Sequence, residues 1–446
     1  MNPLRQLQEN GQSIWLDYIR RHLITSGELK RLVDEDGLSG VTSNPTIFDK
    51  AIAGSTDYDE TLAKLLSESP HAEARTLFDL LEIEDIKMAA DVLRPVYDRT
   101  DGGDGFVSIE VPAQLAHDTA GSITEARRLW KAVNRPNLMV KIPAAAEGVL
   151  AIEELIAEGI NINITLMFSL GHYEAVSAAY LRGLRRTPDP HKVSSVASFF
   201  VSRVDTVVDK ALEAIGTPEA LLLRGKIGIA NCKQVYQRFR QIFLGTPFEE
   251  FKRRGARLQR VLWASTSTKN PAYPDVMYVE GLIGSHTINT LPPATMNAFR
   301  DHGHVQDTLD SGLEEAEADL AHLDRLDIDL HAIGEQLLAD GLAAFDESLD
   351  RLFASLDEKR RKLHAPQVDR QRLALGPYDE KLQRRLKTWE QDSLRPGSAH
   401  SSRSSEPRGT QSGFGRDARA RALVGQPRHT LRTGAERCGG DDRNRN

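Results

Sequence analysis

Short apolar segments alternate with longer amphipathic segments from residue 13 to residue 291. Several of the short segments are rich in Val and Ile without strict apolar–polar alternation, which is typical of strands buried on both faces of a parallel sheet. They lie at residues 13–16, 38–42, 106–111, 138–143, 160–168, 193–200, 260–265 and 286–291. Between them, residues 76–97, 122–133 and 204–215 place apolar side chains on one helical face. The alternation predicts an α/β fold, and eight strands favour a closed barrel over an open sheet without deciding between them.

The chain becomes helical and acidic after Pro293. Apolar residues there recur at spacings of four and three and form one stripe, made of Leu338, Leu342, Phe345, Leu349, Leu352 and Leu356. A single stripe of this length is ordinary core-facing material, so we expect it to cap the barrel rather than to meet a partner helix. The predicted organisation is a barrel with capping helices over 1–365, a helical linker over 366–391 and a tail over 392–446.

The tail differs from the rest of the chain in composition. Residues 392–446 contain eleven arginines, no lysine and six acidic residues, a net charge of +5 within a chain of net charge −7. The segment has too few apolar residues to offset its ordering entropy, which predicts disorder. We favour a non-functional extension, or the relic of a truncated second domain, over an arm that binds RNA or another anionic partner.

Composition excludes several classes of protein. The negative net charge argues against a dedicated nucleic-acid binder. Two cysteines cannot form a disulfide framework, no run of 18 apolar residues predicts a membrane span, and Met1–Glu9 lacks an apolar signal core. No nucleotide-binding glycine loop, H-E-x-x-H motif or zinc-like spacing is present, so we expect no metal and no cofactor. These features predict a protein of the reducing cytoplasm.

Polar side chains occupy the carboxyl ends of several predicted strands, where α/β barrels carry their catalytic groups. They are Asp17, Asn44, Glu110, Lys141, Asn163, Thr165 and Ser198. Most have an ordinary structural interpretation, such as a turn residue for Asn44 or a helix cap for Asp17. Lys141 is harder to explain in that way, because lysine is rarely buried without a partner and this one lies within an apolar strand.

A buried Lys141 indicates a particular chemistry. Burial disfavours the charged form of lysine, and a neutral amine is a nucleophile that forms Schiff bases with carbonyl substrates. Glu110 is a suitable partner, because imine formation and hydrolysis need a group that moves protons and an ion pair limits the cost of burial. The alternative is a lysine whose ammonium group extends to the barrel rim.

A second cluster of polar residues follows the seventh predicted strand. The run W-A-S-T-S-T-K-N at 263–270 contains Ser267 and Lys269, whose hydroxyl and ammonium groups suit a phosphate. Barrels commonly bind phosphate in the loops after their last two strands. Arg203, after the sixth predicted strand, is a further cation for the same anion. A loop rich in Ser and Thr is also often only a loop, so this cluster is a weaker indication than Lys141.

Five segments together resemble the transaldolase family and occur in its order, from about residue 10 to residue 365. They are T-S-N-P-T-I-F at 42–48, K-I-P-A at 141–144, N-I-T-L-M-F-S at 163–169, the spacing from Ser198 to Arg203, and A-S-T-S-T-K-N-P at 264–271. The resemblance implies a (β/α)8 TIM barrel without metal or organic cofactor. It also implies transfer of a dihydroxyacetone unit from sedoheptulose 7-phosphate or fructose 6-phosphate to glyceraldehyde 3-phosphate or erythrose 4-phosphate.

The resemblance also implies residue roles. Lys141 is expected to form the Schiff base, Asp17 to take the proton whose loss breaks the C–C bond, and Glu110 to shuttle protons through a water held by Thr165. The dihydroxyacetone hydroxyls are assigned to Asn44, Asn163 and Ser198, and the phosphate to Arg203, Ser267 and Lys269. Many members have Arg in place of Lys269, and many have S-P-F where this chain has S-F-F at 198–200.

The sequence leaves two other functions open, and it leaves open whether the chain derives from a longer fusion protein. A fructose-6-phosphate aldolase would release free dihydroxyacetone, but the small aldolases of that kind carry Gln in place of Glu110 and lack the long C-terminal helices. A catalytically inactive barrel would act as a scaffold. The segment L-G-P-Y-D-E at 375–380 resembles the junction in transaldolases fused to glucose-6-phosphate isomerase. The sequence leaves monomer and homodimer equally open.

Overall fold

Eight parallel strands form a closed barrel in the computed structural model, which describes residues 2–364 and 379–393. The strands are β1 Gln12–Asp17, β2 Gly40–Thr42, β3 Phe106–Glu110, β4 Leu138–Pro143, β5 Ile162–Met167, β6 Ser195–Phe200, β7 Arg260–Ala264 and β8 Thr287–Leu291. Each strand pairs with the next in chain order, and β1 closes the barrel against β8. All eight predicted strands are present, and the predicted (β/α)8 barrel is confirmed.

Helices connect the strands and continue after the last one. Those of the barrel region are α1 Pro3–Glu9, α2 Arg21–Thr25, α3 Glu28–Asp36, α4 Pro45–Ala53, α5 Asp59–Glu68, α6 Ala74–Arg99, α7 Thr119–Val133, α8 Ala146–Ala157, α9 Leu170–Arg186, α10 Ser202–Ile215, α11 Pro218–Leu221, α12 Ile227–Phe243, α13 Glu249–Arg253 and α14 Met277–Glu280. The C-terminal set is α15 Pro293–His302, α16 Leu313–Arg325, α17 Leu330–His364 and α18 Asp379–Ser393.

Large apolar side chains fill the middle of the barrel, between polar residues at its two ends. Every residue of β4, β5 and β6 is buried, which explains why these strands lack apolar–polar alternation. One buried cluster contains side chains from seven of the strands, namely Trp15, Phe106, Met139, Leu166, Val196, Leu262 and Ile288. Gly40 lies opposite Trp15 in the β1–β2 register, and a Cβ atom at Gly40 would be 2.3 Å from the indole ring. The filled interior leaves space for a site only at the carboxyl end.

Helix α17 packs against the barrel and against α4 and α6. All six residues of its apolar stripe are buried, and Phe345 also faces the cavity described below. The close approach uses Gly341, where a Cβ atom would be 2.8 Å from a methyl group of Leu166. Leu166 has a φ of +59°, a left-handed conformation that is unusual for a branched residue and that coincides with a register shift in the β5–β6 pairing.

The C-terminal region is described only in part. Residues 379–393 form α18, whose side chains are exposed from residue 380 to residue 388. The rest of the predicted linker, at 366–378, and the predicted tail from residue 394 onward lie outside the described residues, as does most of the L-G-P-Y-D-E segment. No helix within 2–364 or 379–393 is both long enough and apolar enough to cross a membrane.

Candidate active site

A cavity of about 640 Å³ opens at the carboxyl end of the barrel strands. Eight of the ten site residues expected from the sequence line it: Asp17, Asn44, Lys141, Thr165, Ser198, Arg203, Ser267 and Lys269. The other two lie directly behind its wall, since Glu110 contacts Lys141 and Asn163 contacts Ser198. The structure therefore brings the predicted residues together, although they are spread over 250 residues of sequence.

Lys141 and Glu110 form a buried ion pair. They are register partners on β4 and β3, and Lys141 Nζ lies 3.0 Å from Glu110 Oε2. Lys141 also donates a hydrogen bond of 3.0 Å to the backbone oxygen of Ser43. The lysine is 5 % exposed and the glutamate 7 %, so the pair is nearly removed from water. A proton that crosses this hydrogen bond converts the ammonium to an amine and the carboxylate to an acid.

Glu110 is suited to hold and release that proton. Burial raises its pKa above the ordinary range, while the opposite charge of Lys141 acts to lower it and Asp17 acts to raise it. Its second oxygen, Oε1, is buried without a hydrogen-bond partner among the described residues, and so is Oγ1 of Thr165. Glu110 on β3 and Thr165 on β5 flank β4, so an unpaired polar atom lies on each side of the strand that carries Lys141.

Asp17 faces the same cavity from the end of β1. Thr42, its register partner on β2, donates a hydrogen bond of 3.0 Å to Asp17 Oδ1. The carboxylate is close enough to Arg203 and Glu110 to act on the pKa of both. The cavity therefore contains a carboxylate that is not the partner of Lys141, which is the requirement for a separate acid–base step.

A chain of hydrogen bonds positions Ser198. Its hydroxyl donates to Asn163 Oδ1 at 2.7 Å, and Asn163 Nδ2 donates to Ser108 Oγ at 2.9 Å. Asn163 is completely buried, so it orients Ser198 from behind the cavity wall. The neighbouring Ser43 hydroxyl donates to the backbone oxygen of Ser108 at 2.8 Å.

Asn44 caps a helix, a structural role different from the turn residue that the sequence suggested, and it also borders the cavity. Its side-chain oxygen accepts a hydrogen bond of 3.0 Å from the backbone N–H of Ile47, which caps the start of α4. Asn44 also lines the cavity. The cap holds the side chain at the cavity edge, where its amide group is available to a hydroxyl-bearing ligand.

Cations gather on one side of the cavity. Desolvation lowers the pKa of Arg203, and it also lowers that of Lys269, which Arg203 and Lys50 lower further. Lys269 Nζ lies 2.5 Å from the hydroxyl of Ser267. Ser265 has a φ of +57°, and such strain in a non-glycine residue is characteristic of functional loops. An anion bound on this side would relieve the repulsion among the cations.

Lys50 is a cavity residue that the sequence analysis missed. It lies on α4 six residues after Asn44, with Ile47 midway between them. The three residues follow one another at a spacing of three, and all of them line the cavity. Lys50 could have been predicted by extending the helical spacing from Asn44 of the T-S-N-P motif into the helix that follows. Tyr18 and Thr46 line the cavity as well, but nothing in their sequence context distinguishes them from other surface residues.

Comparison with known proteins agrees with this geometry. The family model for transaldolase/fructose-6-phosphate aldolase matches residues 14–356. The chain belongs to this family. It is similar to the transaldolase of Thiobacillus denitrificans, with 47% identity over 360 residues that cover 80% of this chain and 100% of that one. It is also similar to transaldolase 2 of Nostoc punctiforme, with 43% identity over 374 residues, covering 80% and 97% of the two chains.

Membership of the transaldolase/fructose-6-phosphate aldolase family confirms the resemblance drawn from the five motifs. The family description includes a transferase and an aldolase, so the choice between them depends on the site itself. Within 2–364 and 379–393, no three His, Cys, Asp or Glu side chains are placed to hold a metal ion.

We predict that the Lys141→Met variant is destabilised in a pH-dependent way. Removing one partner of a buried pair typically costs about 3–5 kcal/mol of unfolding free energy, because the other charge stays buried. When folding raises the pKa of a carboxyl group, the free energy of unfolding of the protein falls as the pH rises through that pKa. The loss should therefore be larger at pH 8 than at pH 5, measured by urea unfolding.

The double variant Lys141→Met, Glu110→Gln is the matched control. It removes the buried charge as well as its partner, so most of the lost stability at pH 8 should return. Equal losses at both pH values, or no recovery in the double variant, would contradict the buried pair.

Proposed function

We propose that this chain is a transaldolase. It moves a dihydroxyacetone unit reversibly from sedoheptulose 7-phosphate or fructose 6-phosphate to glyceraldehyde 3-phosphate or erythrose 4-phosphate, a reaction of the pentose phosphate pathway. The observation that carries this proposal is the buried Lys141–Glu110 pair at the edge of a cavity that also contains Asp17 and a cluster of cations. The names of the relatives support the same assignment.

The reaction begins when Lys141 transfers its proton to Glu110 and the free amine attacks the ketose carbonyl carbon. Glu110 gives that first proton to the carbonyl oxygen, then takes a second proton from the nitrogen of the adduct and delivers it to the same oxygen, which leaves as water. Glu110 carries each of them, directly or through a water held by Thr165, and the product is a protonated imine on Lys141. Hydrolysis of the imine runs through the same steps in reverse.

Cleavage of the C–C bond requires a base and an electron sink. Asp17 takes the proton of the hydroxyl on the carbon that becomes the aldehyde. The C–C bond electrons move into the imine, which becomes a neutral enamine while the aldose phosphate leaves. The hydrogen bond from Thr42 holds the Asp17 carboxylate for this step. When a second aldose phosphate enters, the enamine carbon attacks its carbonyl group and Asp17 returns the proton.

Binding roles follow from position in the cavity. Asn44 and Ser198 hold the hydroxyls of the dihydroxyacetone unit, and Asn163 acts through Ser198. Arg203, Ser267 and Lys269 hold the phosphate, since they lie together on the cationic side. Lys50 is a fourth phosphate residue by the same argument. Lysine binds phosphate as a point charge. Lys269 and Lys50 together therefore replace the planar contact that an arginine in place of Lys269 would make.

Glu110 favours a transferase over an aldolase. The small aldolases carry Gln at this position, whereas Glu110 is ionisable and paired with Lys141 at 3.0 Å. Helix α17 adds Phe345 to the cavity wall, which reduces access of water to a bound enamine. The apolar wall at Phe345 favours retention of the covalent dihydroxyacetone unit until an acceptor arrives.

Three further expectations are proposals of the same kind. The domain limits are 1–365 for the barrel with its capping helices, 366–391 for the linker and 392–446 for the tail. The cytoplasm is the proposed compartment, because two cysteines in a chain of 446 residues are typical of proteins in a reducing environment. Sugar phosphates are the proposed partners, with no nucleic acid.

We predict transferase activity that depends on an acceptor. With fructose 6-phosphate and erythrose 4-phosphate, the chain should form equal amounts of glyceraldehyde 3-phosphate and sedoheptulose 7-phosphate in a coupled assay. Lys141→Met should abolish turnover while Lys64→Met, a change at an exposed lysine of α5, should not alter it. Without erythrose 4-phosphate, no more than one equivalent of glyceraldehyde 3-phosphate per site is expected. Continuous release of free dihydroxyacetone would instead make the chain an aldolase.

We predict that Lys50 contributes to phosphate binding. Lys50→Met should raise KM for fructose 6-phosphate about tenfold with kcat nearly unchanged, because a hydrogen bond to a charged group contributes about 1.5–3 kcal/mol. Turnover of unphosphorylated fructose should not change. Lys64→Met is again the control. An unaltered KM for fructose 6-phosphate would remove Lys50 from the phosphate site.

A further inference from the structure

A second cavity, of about 30 Å³, lies between the end of β3 and helices α6, α7 and α17. Glu110 lines it together with three other carboxyl groups, those of Asp79, Glu82 and Glu125. The rest of the lining is largely apolar, and a cavity of this size into which four carboxyl groups project has room and polar partners for one water molecule. Glu110 therefore contacts Lys141 through Oε2 and also lines this small cavity, which is separate from the larger cavity that Lys141 lines.

Glu82 is the unusual member of this group. It lies on the buried face of α6, is 7 % exposed, and makes no hydrogen bond or ion pair with any described residue. Burial raises its pKa well above the ordinary range, and the charges of Asp79 and Glu110 raise it further. A leucine or glutamine would fill this position at lower cost, because an unpaired buried carboxyl group is expensive. Burial therefore favours the protonated form of Glu82, which lies next to the proposed proton shuttle.

Asp79 and Glu125 connect Glu82 with solvent. Both are half-buried, and both pair with Arg128, at 3.1 Å and 2.7 Å respectively. The Arg128 side chain is 41% exposed, so this pair of carboxylates lies at the protein surface. The carboxyl groups thereby form a series from the surface, through Glu82, to Glu110.

We propose that Glu82 exchanges protons with Glu110 through the small cavity and so maintains the shuttle while sugar phosphate fills the substrate cavity. The inference rests on the proposed function. Each time Glu110 gives a proton to the departing oxygen, Glu82 can return one to Glu110 Oε1 through the water. A proton from solvent, relayed by Asp79 and Glu125, then refills Glu82. When Glu110 takes a proton from the lysine nitrogen, the transfer runs outward. No proton is consumed over the complete reaction, and Glu82 is a positioning residue that acts through Glu110.

The charged groups around Glu82 come from α6, α7 and β3. Those that face it or line the same cavity are Arg75 and Asp79 on α6, Glu125 and Arg128 on α7, and Glu110 on β3. Helix α17 contributes only the apolar Leu349 and Phe353, and α4 contributes Pro45. The pH dependence expected from Glu82 therefore involves only α6, α7 and β3.

The test compares Glu82→Gln with the wild-type chain in the acceptor-dependent assay. The variant keeps the shape of the neutral acid but has no proton to transfer, so kcat should fall about tenfold while KM for fructose 6-phosphate stays within twofold. The alkaline decline of kcat that reflects ionisation of Glu82 should disappear, and the solvent deuterium isotope effect on kcat should increase. Glu84→Gln, on the same helix but outside the cavity, is the matched control and should retain wild-type behaviour.

A second variant separates proton transfer from a packing role. Glu82→Ala should be slower still, and added formate should restore activity, because the enlarged cavity admits a small weak acid. Chloride at equal ionic strength should restore nothing. An unchanged kcat and pH profile in Glu82→Gln, or no response of Glu82→Ala to formate, would overturn the inference while wild-type turnover upheld the proposed function. An inactive wild-type chain would overturn both.

Discussion

The buried ion pair between Lys141 and Glu110 is the constraint on which the rest of the site depends. Two charges have been removed from water, which is costly unless each has a partner in good geometry. Adjacent parallel strands supply that geometry, because register places Glu110 of β3 directly beside Lys141 of β4. The same pairing that makes burial tolerable also lets a proton move from the lysine, so the structural and the chemical requirements are met by one contact.

The surroundings of the pair extend this arrangement in two directions. On the cavity side, Asp17 faces the same space as Lys141, and the cations Arg203 and Lys269 lie together there, where we propose that the phosphate binds. On the helix side, Glu82 and its neighbours give Glu110 a second, smaller polar space. Helix α17 borders both spaces, with Phe345 at one and Leu349 at the other. Helix α17 therefore lines both cavities as well as covering the barrel.

Much of this could be predicted from the sequence, and the exceptions have physical reasons. The eight strands were recognisable because both of their faces are buried, and Lys141 because a charge within an apolar strand has few explanations. Lys50 was missed because the helical spacing from Asn44 was not followed into α4, and Glu82 because it is one of many charged residues on α6 and only tertiary packing buries it. The positive φ values of Leu166 and Ser265 are set by packing and have no local sequence signal.

The central claim is that Lys141 forms a covalent imine with the ketose. Borohydride reduction of the chain in the presence of fructose 6-phosphate, followed by digestion and peptide mass spectrometry, tests it most directly. The account predicts an added mass of a reduced dihydroxyacetone unit on the peptide that contains Lys141, and no adduct in Lys141→Met. An adduct on another lysine, or none on folded wild-type protein, would contradict it.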